Sequence, residues 1–227
     1  MSVFAQVAFS WDWDYALDTL PKIARGLWQT VVATIVGISI GMVLGLVLAL
    51  LRRSRHRIIR WPTIALIEFV RSTPLLVQLF FIFYVLPNFG VVLSPFVALV
   101  LGLGIHYGTY TSESYRAGIE NVEVGQWEAA TALNLSAATT WSRIVLPQAI
   151  PTVIPALGNY LVAMFKDAPL GFAIAAGGIL LEAQAEASRS FRPMEPYTIM
   201  GVLFLAVSIP AAFFVRYLER RYGYERV

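Results

Sequence analysis

The sequence predicts an all-α membrane protein with about five transmembrane helices, and three observations support this. Hydrophobic residues make up 58% of the 227 residues and charged residues only 14%, well below the roughly 25% charge of soluble domains. Residues 26–51 carry no charge and exceed the roughly 20 residues that cross about 30 Å of hydrocarbon. The lysines and arginines lie mainly beside the apolar segments, which is how membrane proteins fix their orientation.

Five apolar segments follow one another, and the basic cluster RRSRHRIIRW separates the first two. After the fourth segment, the stretch KDAPLGFAIAAGGILLEAQ either continues that span or forms a short helix at the outer surface. The predicted spans are residues 26–51, 62–86, 91–112, 150–165 and 197–215.

The positions of lysine and arginine predict an outside N-terminus and an inside C-terminus. Eleven of these residues lie in the first connection, the third connection and the C-terminal tail, against four on the other side. Positive charge accumulates on the cytoplasmic side, so the third connection is predicted to be cytoplasmic. The eleven are Arg52, Arg53, Arg55, Arg57, Arg60, Arg116, Arg143, Arg216, Arg220, Arg221 and Arg226, and the four are Lys22, Arg25, Arg189 and Arg192.

The first 25 residues differ from the rest of the chain. Residues 1–25 mix aromatic and acidic side chains and are predicted to form an external amphipathic segment, whereas residues 26–227 form the transmembrane domain. Within the first span, Gly37, Gly41 and Gly45 recur every four residues. A neighbouring helix can therefore approach that face closely.

The composition excludes most catalytic and cofactor chemistry. The sequence has no cysteine, its two histidines lie far apart, and it has no glycine-rich phosphate loop. We therefore expect no enzyme activity, no cofactor and no metal. The isoelectric point of about 9.3 does not indicate nucleic-acid binding, because the basic residues flank the spans.

Residues 125–151, GQWEAATALNLSAATTWSRIVLPQAIP, are too polar to cross a bilayer and too rich in helix formers to be a slack linker. Asn134 tolerates the left-handed conformation that ends a helix, and Ser136 can cap a second helix over residues 137–145. Pro147 and Pro151 are expected to bound that second helix. The loop is either a docking surface with exposed small alanines or an interfacial helix pair that connects two spans.

Charged residues within or at the ends of the spans are expensive in a bilayer and usually face a cavity or one another. Pro74 frees a backbone carbonyl in the preceding turn, so Ser72 and Thr73 are candidates for a gate or a substrate contact. Glu68 and Arg71, three residues apart, either belong to this gate or form a structural ion pair.

Lys166 and Asp167 are adjacent, so their side chains cannot both point the same way on a helix. One is predicted to face a pore and the other to pair elsewhere, and together they supply both signs that a zwitterionic solute needs. Gln78 can add hydrogen bonds, although bonding between helices is the alternative. The candidate substrate path or gate consists of Glu68, Arg71, Ser72, Thr73, Pro74, Gln78, Glu113, Lys166 and Asp167.

The polar loop resembles the EAA loop of ABC importer permeases, with EAA near its start and I-x-LP near its end. Glu128, Ala129 and Ala130 match the first part, and Asn134 stands where the family has glycine. In that family the loop is the helix that couples to a cytoplasmic ATPase. The resemblance implies a coupling role for Glu128, Ala129, Ala130, Leu133, Asn134, Ser136, Ile144 and Pro147.

Further segments resemble the polar amino acid permeases: EFVRSTPLLVQLFFIFYVLP, ESYRAGIENVEVGQWEAA and MFKDAPL. KDAPL with EASRSFRPMEPYT is somewhat closer to the ectoine/hydroxyectoine permeases. The resemblance implies the type I importer permease fold and a multi-pass location in the cell inner membrane. It also implies three protein partners in the bilayer or beside it: an ABC ATPase, a second permease subunit, identical or a sister chain, and an extracytoplasmic solute-binding protein.

The expected function is the permease subunit of an ATP-driven importer for a polar amino acid or a zwitterionic compatible solute such as ectoine. One alternative is a proton-coupled secondary transporter of small zwitterions, which the intramembrane carboxylates would serve. A second alternative is a membrane scaffold, which the paired intramembrane charges argue against.

Overall fold

The computed structural model describes residues 10–222, and these residues are helical with no strand. Three of the helices continue into irregular turns: α3 into a π-turn and a 3-10 turn (Phe81–Val85, Leu86–Phe89), α6 into a π-turn (Trp141–Val145), and α7 into a 3-10 turn (Ala168–Ile174). The helices are α1 (Trp13–Arg52), α2 (Arg57–Arg71), α3 (Leu75–Phe80), α4 (Pro95–Glu120), α5 (Val124–Ala132), α6 (Ala137–Thr140), α7 (Leu146–Asp167), α8 (Ile179–Ser190) and α9 (Met194–Tyr222).

By length and composition, three helical segments can cross a membrane: α1, residues 137–174 and α9. Helix α2 and the α3 segment meet the same criterion only when taken together, and they are bent by 106° at Pro74. The predicted span at residues 91–112 corresponds to α4, which falls outside that count because its second half is polar. The all-helical membrane fold predicted from the sequence is confirmed.

Helix α4 packs lengthwise against α1 through glycines on both helices. A side chain at Gly41 would lie only 3.4 Å from the carbonyl oxygen of Gly104 and the backbone nitrogen of Gly108. Gly37 faces Leu103, so residue numbers rise together along the contact and the two helices are parallel. Because α1 and α4 run the same way, the chain between them must return, and the bent α2–α3 segment makes that return.

Helices α7 and α9 complete the bundle. Gly118 of α4 faces Val153 of α7 and Tyr107 bonds to Asp167, so α4 and α7 are antiparallel. Gly158 of α7 faces Val215 of α9 and Phe165 stacks on Phe204, so α7 and α9 are antiparallel as well. The main core lies between α1, α3, α4, α7 and the 3-10 turn after α7. Its fully buried side chains are Ala33, Leu79, Ala98, Leu103 and Met164.

The first half of α1 forms a second bundle with α8 and the start of α9. Helix α1 has 40 residues and is about 60 Å long, twice the thickness of the hydrocarbon, so part of it must project. Ile23 packs against Ile179 and Ala183 of α8, and Lys22 pairs with Glu186 at 3.1 Å. Residues 168–190 therefore form a turn and a separate helix beside the N-terminal part of α1.

No break separates residues 13–25 from the first span, since α1 is continuous through residue 26. Arg192, in the turn before α9, pairs with the buried Glu195 at 2.6 Å and with Asp12 at 3.4 Å. The Glu195 carboxylate raises the pKa of the Arg192 guanidinium. The predicted external segment also includes residues 1–9, which lie outside the described residues.

Candidate functional site

A group of polar and aromatic side chains lies where the end of α2 meets α3, α4 and α7, and we call it the polar cluster. Its central bond joins α4 to α7: the buried Tyr107 hydroxyl donates to Asp167 Oδ2 at 2.7 Å. A carboxylate that accepts this bond is held in one orientation in the apolar interior. The members of the cluster are Arg71, Gln78, His106, Tyr107, Tyr110, Tyr160 and Asp167.

Gln78 fills the break that Pro74 makes between α2 and α3. Proline has no N–H, so it cannot donate to the carbonyl of Val70 four residues earlier. The Gln78 side-chain nitrogen donates to that carbonyl at 2.7 Å and to the Thr73 hydroxyl at 2.8 Å, while its oxygen lies 3.2 Å from His106 Nδ1. The turn that the sequence predicts to be loosened is therefore bent, but the Gln78 side chain donates to the carbonyls of both Val70 and Thr73.

Arg71 contacts an aromatic ring in addition to its predicted carboxylate partner. Its guanidinium lies 5.2 Å from the centroid of Tyr110, within cation–π range. The nearest atoms of Arg71 and Glu68 are 4.0 Å apart, and both side chains are partly exposed, which makes a weak ion pair. Tyr110 in turn lies 5.9 Å from Tyr160 of α7, so Arg71 is joined to the cluster through aromatic rings.

Lys166 and Asp167 point in different directions, as their adjacency in the sequence predicts. Asp167 turns inward to Tyr107, whereas Lys166 is exposed and pairs with no carboxylate of residues 10–222. A cation exposed to lipid costs roughly 3 kcal/mol or more. This cost predicts that solute or protein, rather than lipid, covers the face of α7 that carries Lys166.

Glu113, a predicted member of the substrate path, lies apart from the polar cluster. It accepts a hydrogen bond from Arg52 of α1 at 2.6 Å and also pairs with Arg116 on its own helix. These bonds tie the ends of α1 and α4 together. The geometry therefore favours a structural role for Glu113.

Sequence reasoning missed the α4 side of the cluster: His106, Tyr107 and Tyr110, together with Tyr160 of α7. His106, Tyr110 and Ser114 recur every four residues, which places them on one helical face. A polar stripe of that period inside an apolar segment was the available signal.

The polar loop folds largely as its sequence predicts. Asn134 has a φ of 48° and is left-handed, and the Ser136 hydroxyl accepts from the backbone N–H of Thr139. The prediction that Pro147 and Pro151 end the second helix is wrong. The π-turn at Trp141–Val145 leads directly into α7, and Pro147 lies in the first turn of that helix, where proline is tolerated.

A small core holds the loop against the ends of α4 and α7. Val145 is fully buried there, and the rings of Trp127 and Trp141 meet edge to face with centroids 5.7 Å apart. The guanidinium of Arg53, at the end of α1, lies 5.7 Å from the centroid of Trp141. Helices α1, α4 and α7 thus all contact the loop around Trp141 and Val145.

The opposite side of the loop is open. Glu128 and Ala129 are exposed, and Leu133 is 72% exposed although it is a large apolar residue. Ala130 was expected on this surface but is buried, because the Trp127 side of α5 faces the bundle. The exposed face also includes Ala132, Asn134 and Ser136.

Comparison with known proteins gives a consistent result along the chain. Residues 41–224 match the family model of the binding-protein-dependent transport system inner membrane component. A probable amino-acid ABC transporter permease protein of Sinorhizobium fredii is 42% identical over 93% of this chain and 94% of its own length. The L-cystine transport system permease protein TcyB of Bacillus subtilis is 37% identical over 78% of this chain and 76% of its own length.

Two solved structures have the same fold. A crystal structure of an amino acid ABC transporter with histidines matches 94% of this chain and 100% of its own, with a TM-score of 0.87 and 32% identity. The inward-facing MetNI methionine ABC transporter matches 86% of this chain and 95% of its own, with a TM-score of 0.66. At 19% identity, the second match shows the fold alone.

Proposed function

This chain belongs to the family of binding-protein-dependent transport system inner membrane components and is an amino-acid ABC transporter permease subunit, and from that premise we propose that it forms the path of an ATP-driven importer for a zwitterionic polar amino acid. It is an inner-membrane protein and not an enzyme. The chemistry of ATP hydrolysis belongs to a separate ATPase subunit in this proposal.

The observation that carries the proposal is that Lys166 and Asp167 point in different directions. The inward Asp167 carboxylate is positioned by Tyr107, and the exposed Lys166 ammonium would be costly against lipid, which supports a face covered by solute or protein. An amino acid carries a carboxylate and an ammonium group, so it needs one partner of each sign. We propose that the solute passes along this face of α7, with Arg71 and Gln78 bordering the path.

A polar amino acid is the proposed solute, because the relatives carry amino-acid and L-cystine transport in their names. Ectoine has the same two charges, so the residues of the polar cluster do not distinguish it from an amino acid. The names of these relatives do not support ectoine as the solute. Competition between ectoine and an amino acid for uptake tests this alternative directly. No observation favours the proton-coupled alternative.

The exposed face of α5 is the proposed docking surface for the ATPase. Leu133 offers an apolar side chain, Ala129 permits close approach, and Glu128 supplies a charge. A second permease subunit is proposed to cover the α7 face that carries Lys166. A solute-binding protein is proposed to deliver the amino acid at the opposite end of the bundle.

The test measures folding, stimulated ATPase activity and uptake together in the reconstituted transporter. We expect Lys166→Met or Asp167→Asn to remain folded and hydrolyse ATP while uptake falls about tenfold or more, the scale of one lost charged contact. Arg220→Met is the matched control, because Arg220 is an exposed cation near the end of α9. Normal uptake in both the Lys166 and the Asp167 variant would overturn the proposed path. Excess ectoine should leave amino-acid uptake unchanged.

A further inference from the structure

The turn between α1 and α2 is densely basic, and we call residues 52–61 the basic elbow. The apolar run of α1 ends at Leu51, and α2 becomes apolar again after Trp61. The elbow therefore lies where hydrocarbon gives way to lipid headgroups. This placement holds whichever side of the membrane the elbow faces.

Two of the five arginines in the elbow make contacts inside the protein. Arg52 donates to Glu113 of α4 at 2.6 Å, and the Arg53 guanidinium lies over the ring of Trp141 at 5.7 Å. These contacts fix the elbow to α4 and to the polar loop, residues 125–151, which we now call the coupling loop after its proposed role. They leave the remaining three arginines to be explained.

Arg55, Arg57 and Arg60 pair with no carboxylate of residues 10–222. Arg55 and Arg57 are exposed, and the guanidinium of Arg60 lies 5.9 Å from the centroid of Trp61. Three neighbouring cations without an internal counter-charge repel one another. An anionic ligand would relieve that repulsion.

The same short segment exposes two large apolar side chains. Ile58 is 84% exposed and Trp61 is 60% exposed. Exposure of such side chains to water is unfavourable. Tryptophan is enriched at the membrane interface, where its indole N–H meets the headgroups and its apolar ring meets the acyl chains. Arginines interleaved with apolar residues are typical of helical segments that lie in the plane of that interface.

We propose that Arg55, Arg57 and Arg60 bind the phosphate groups of anionic phospholipids while Ile58 and Trp61 insert beside the acyl chains. Guanidinium groups match phosphate oxygens with paired N–H donors, and each arginine near an anionic membrane surface strengthens binding about fivefold. Arg52 and Arg53 connect the elbow to α4 and the coupling loop. A bound lipid therefore anchors the point at which these elements meet.

Native mass spectrometry of the purified full-length chain tests this proposal without any transport measurement. Phosphatidylglycerol and phosphatidylcholine are titrated separately onto wild-type protein and onto the triple variant Arg55→Gln, Arg57→Gln, Arg60→Gln. The wild type should prefer phosphatidylglycerol, and the triple variant should bind it about a hundredfold more weakly, at about fivefold per arginine. Binding of phosphatidylcholine should not change.

The matched control removes the same charge elsewhere, through Arg216→Gln, Arg220→Gln and Arg221→Gln at the end of α9. An equal loss of phosphatidylglycerol in both triple variants would mean diffuse attraction to net charge and would overturn the site. Unchanged binding in the elbow variant would also overturn it. Loss of lipid binding in millimolar inorganic phosphate would assign the arginines to a free anion instead.

Two further variants keep the proposal testable if the triple variant fails to fold. Arg57→Gln alone should weaken phosphatidylglycerol binding about fivefold. Trp61→Ala should weaken binding of phosphatidylglycerol while leaving every charge in place. Unchanged affinity in both of these variants would refute the proposal.

Discussion

The polar cluster and the coupling loop place their polar side chains in opposite ways. In the cluster, Tyr107 bonds to Asp167 and Gln78 closes the break at Pro74, so polar atoms face one another. In the coupling loop, Glu128 and Ser136 face outward. Hydrocarbon offers no hydrogen bonds and forces polar groups to pair within the protein, whereas water satisfies those at the surface. The surrounding solvent explains both arrangements.

Each region also contains an exception to its own rule, and the exceptions identify the residues to test. In an apolar helical segment, Lys166 is exposed and has no carboxylate partner among residues 10–222. In the coupling loop, Trp127 and Trp141 form a small core with the buried Val145. Lys166 is therefore the residue that tests the proposed solute path, and the tryptophans mark the side of the loop that packs against the bundle.

The largest effect is expected at the outer surface of the coupling loop. Glu128→Lys should abolish uptake and leave membrane insertion and thermal stability unchanged, because Glu128 is exposed and lies on the proposed ATPase surface. Uptake, stimulated ATPase activity and melting temperature are measured on the same preparation. Glu123→Lys is the control, since it makes the same charge change at an exposed position just before α5. Full uptake with Glu128→Lys would refute the docking surface.

A smaller effect is expected inside the polar cluster. Tyr107→Phe removes the donor to Asp167, so stability should fall by about 1–3 kcal/mol and uptake by about tenfold. Chemical denaturation and uptake assays measure the two effects. Tyr115→Phe is the control on the same helix, because none of the side-chain hydrogen bonds within residues 10–222 involves the Tyr115 hydroxyl. Equal losses of stability and uptake in both variants would show that the Tyr107–Asp167 hydrogen bond has no specific role.

The inner side of the coupling loop should show an intermediate loss of coupling. Trp141→Ala removes the ring that meets Trp127 and Arg53, and the partly exposed site should cost about 2 kcal/mol of stability. Uptake per ATP hydrolysed should fall severalfold because α5 is no longer held to α4 and α7. Trp141→Phe should restore most of that ratio, whereas a purely local packing defect would lower stability alone.

The smallest effect on transport is expected from cysteines that report topology. Ala137→Cys, in the coupling loop, and Asn88→Cys, before α4, should leave uptake near the wild-type level because both positions are exposed. A membrane-impermeant thiol reagent should label position 137 only from the cytoplasm and position 88 only from outside. Labelling of both positions from one side would contradict the predicted orientation. The wild type, which has no cysteine, is the unlabelled control.

The sequence alone determined the features that depend on local composition. Residues 26–51 had to be a membrane span because they are uncharged and long enough. Asn134 and Ser136 predicted the turn in the coupling loop because their preferences act within one or two residues. The adjacency of Lys166 and Asp167 predicted that they point in different directions for the same local reason.

Only the tertiary structure decided which partners those residues have. Asp167 meets Tyr107 from 60 positions away, and Gln78 reaches His106 across 28 positions. Glu113 bonds to Arg52, and Ala130 turns inward, because helix packing decides which side of a helix is covered. Periodicity specifies that a helix has two faces, but the neighbouring helix determines what each face touches.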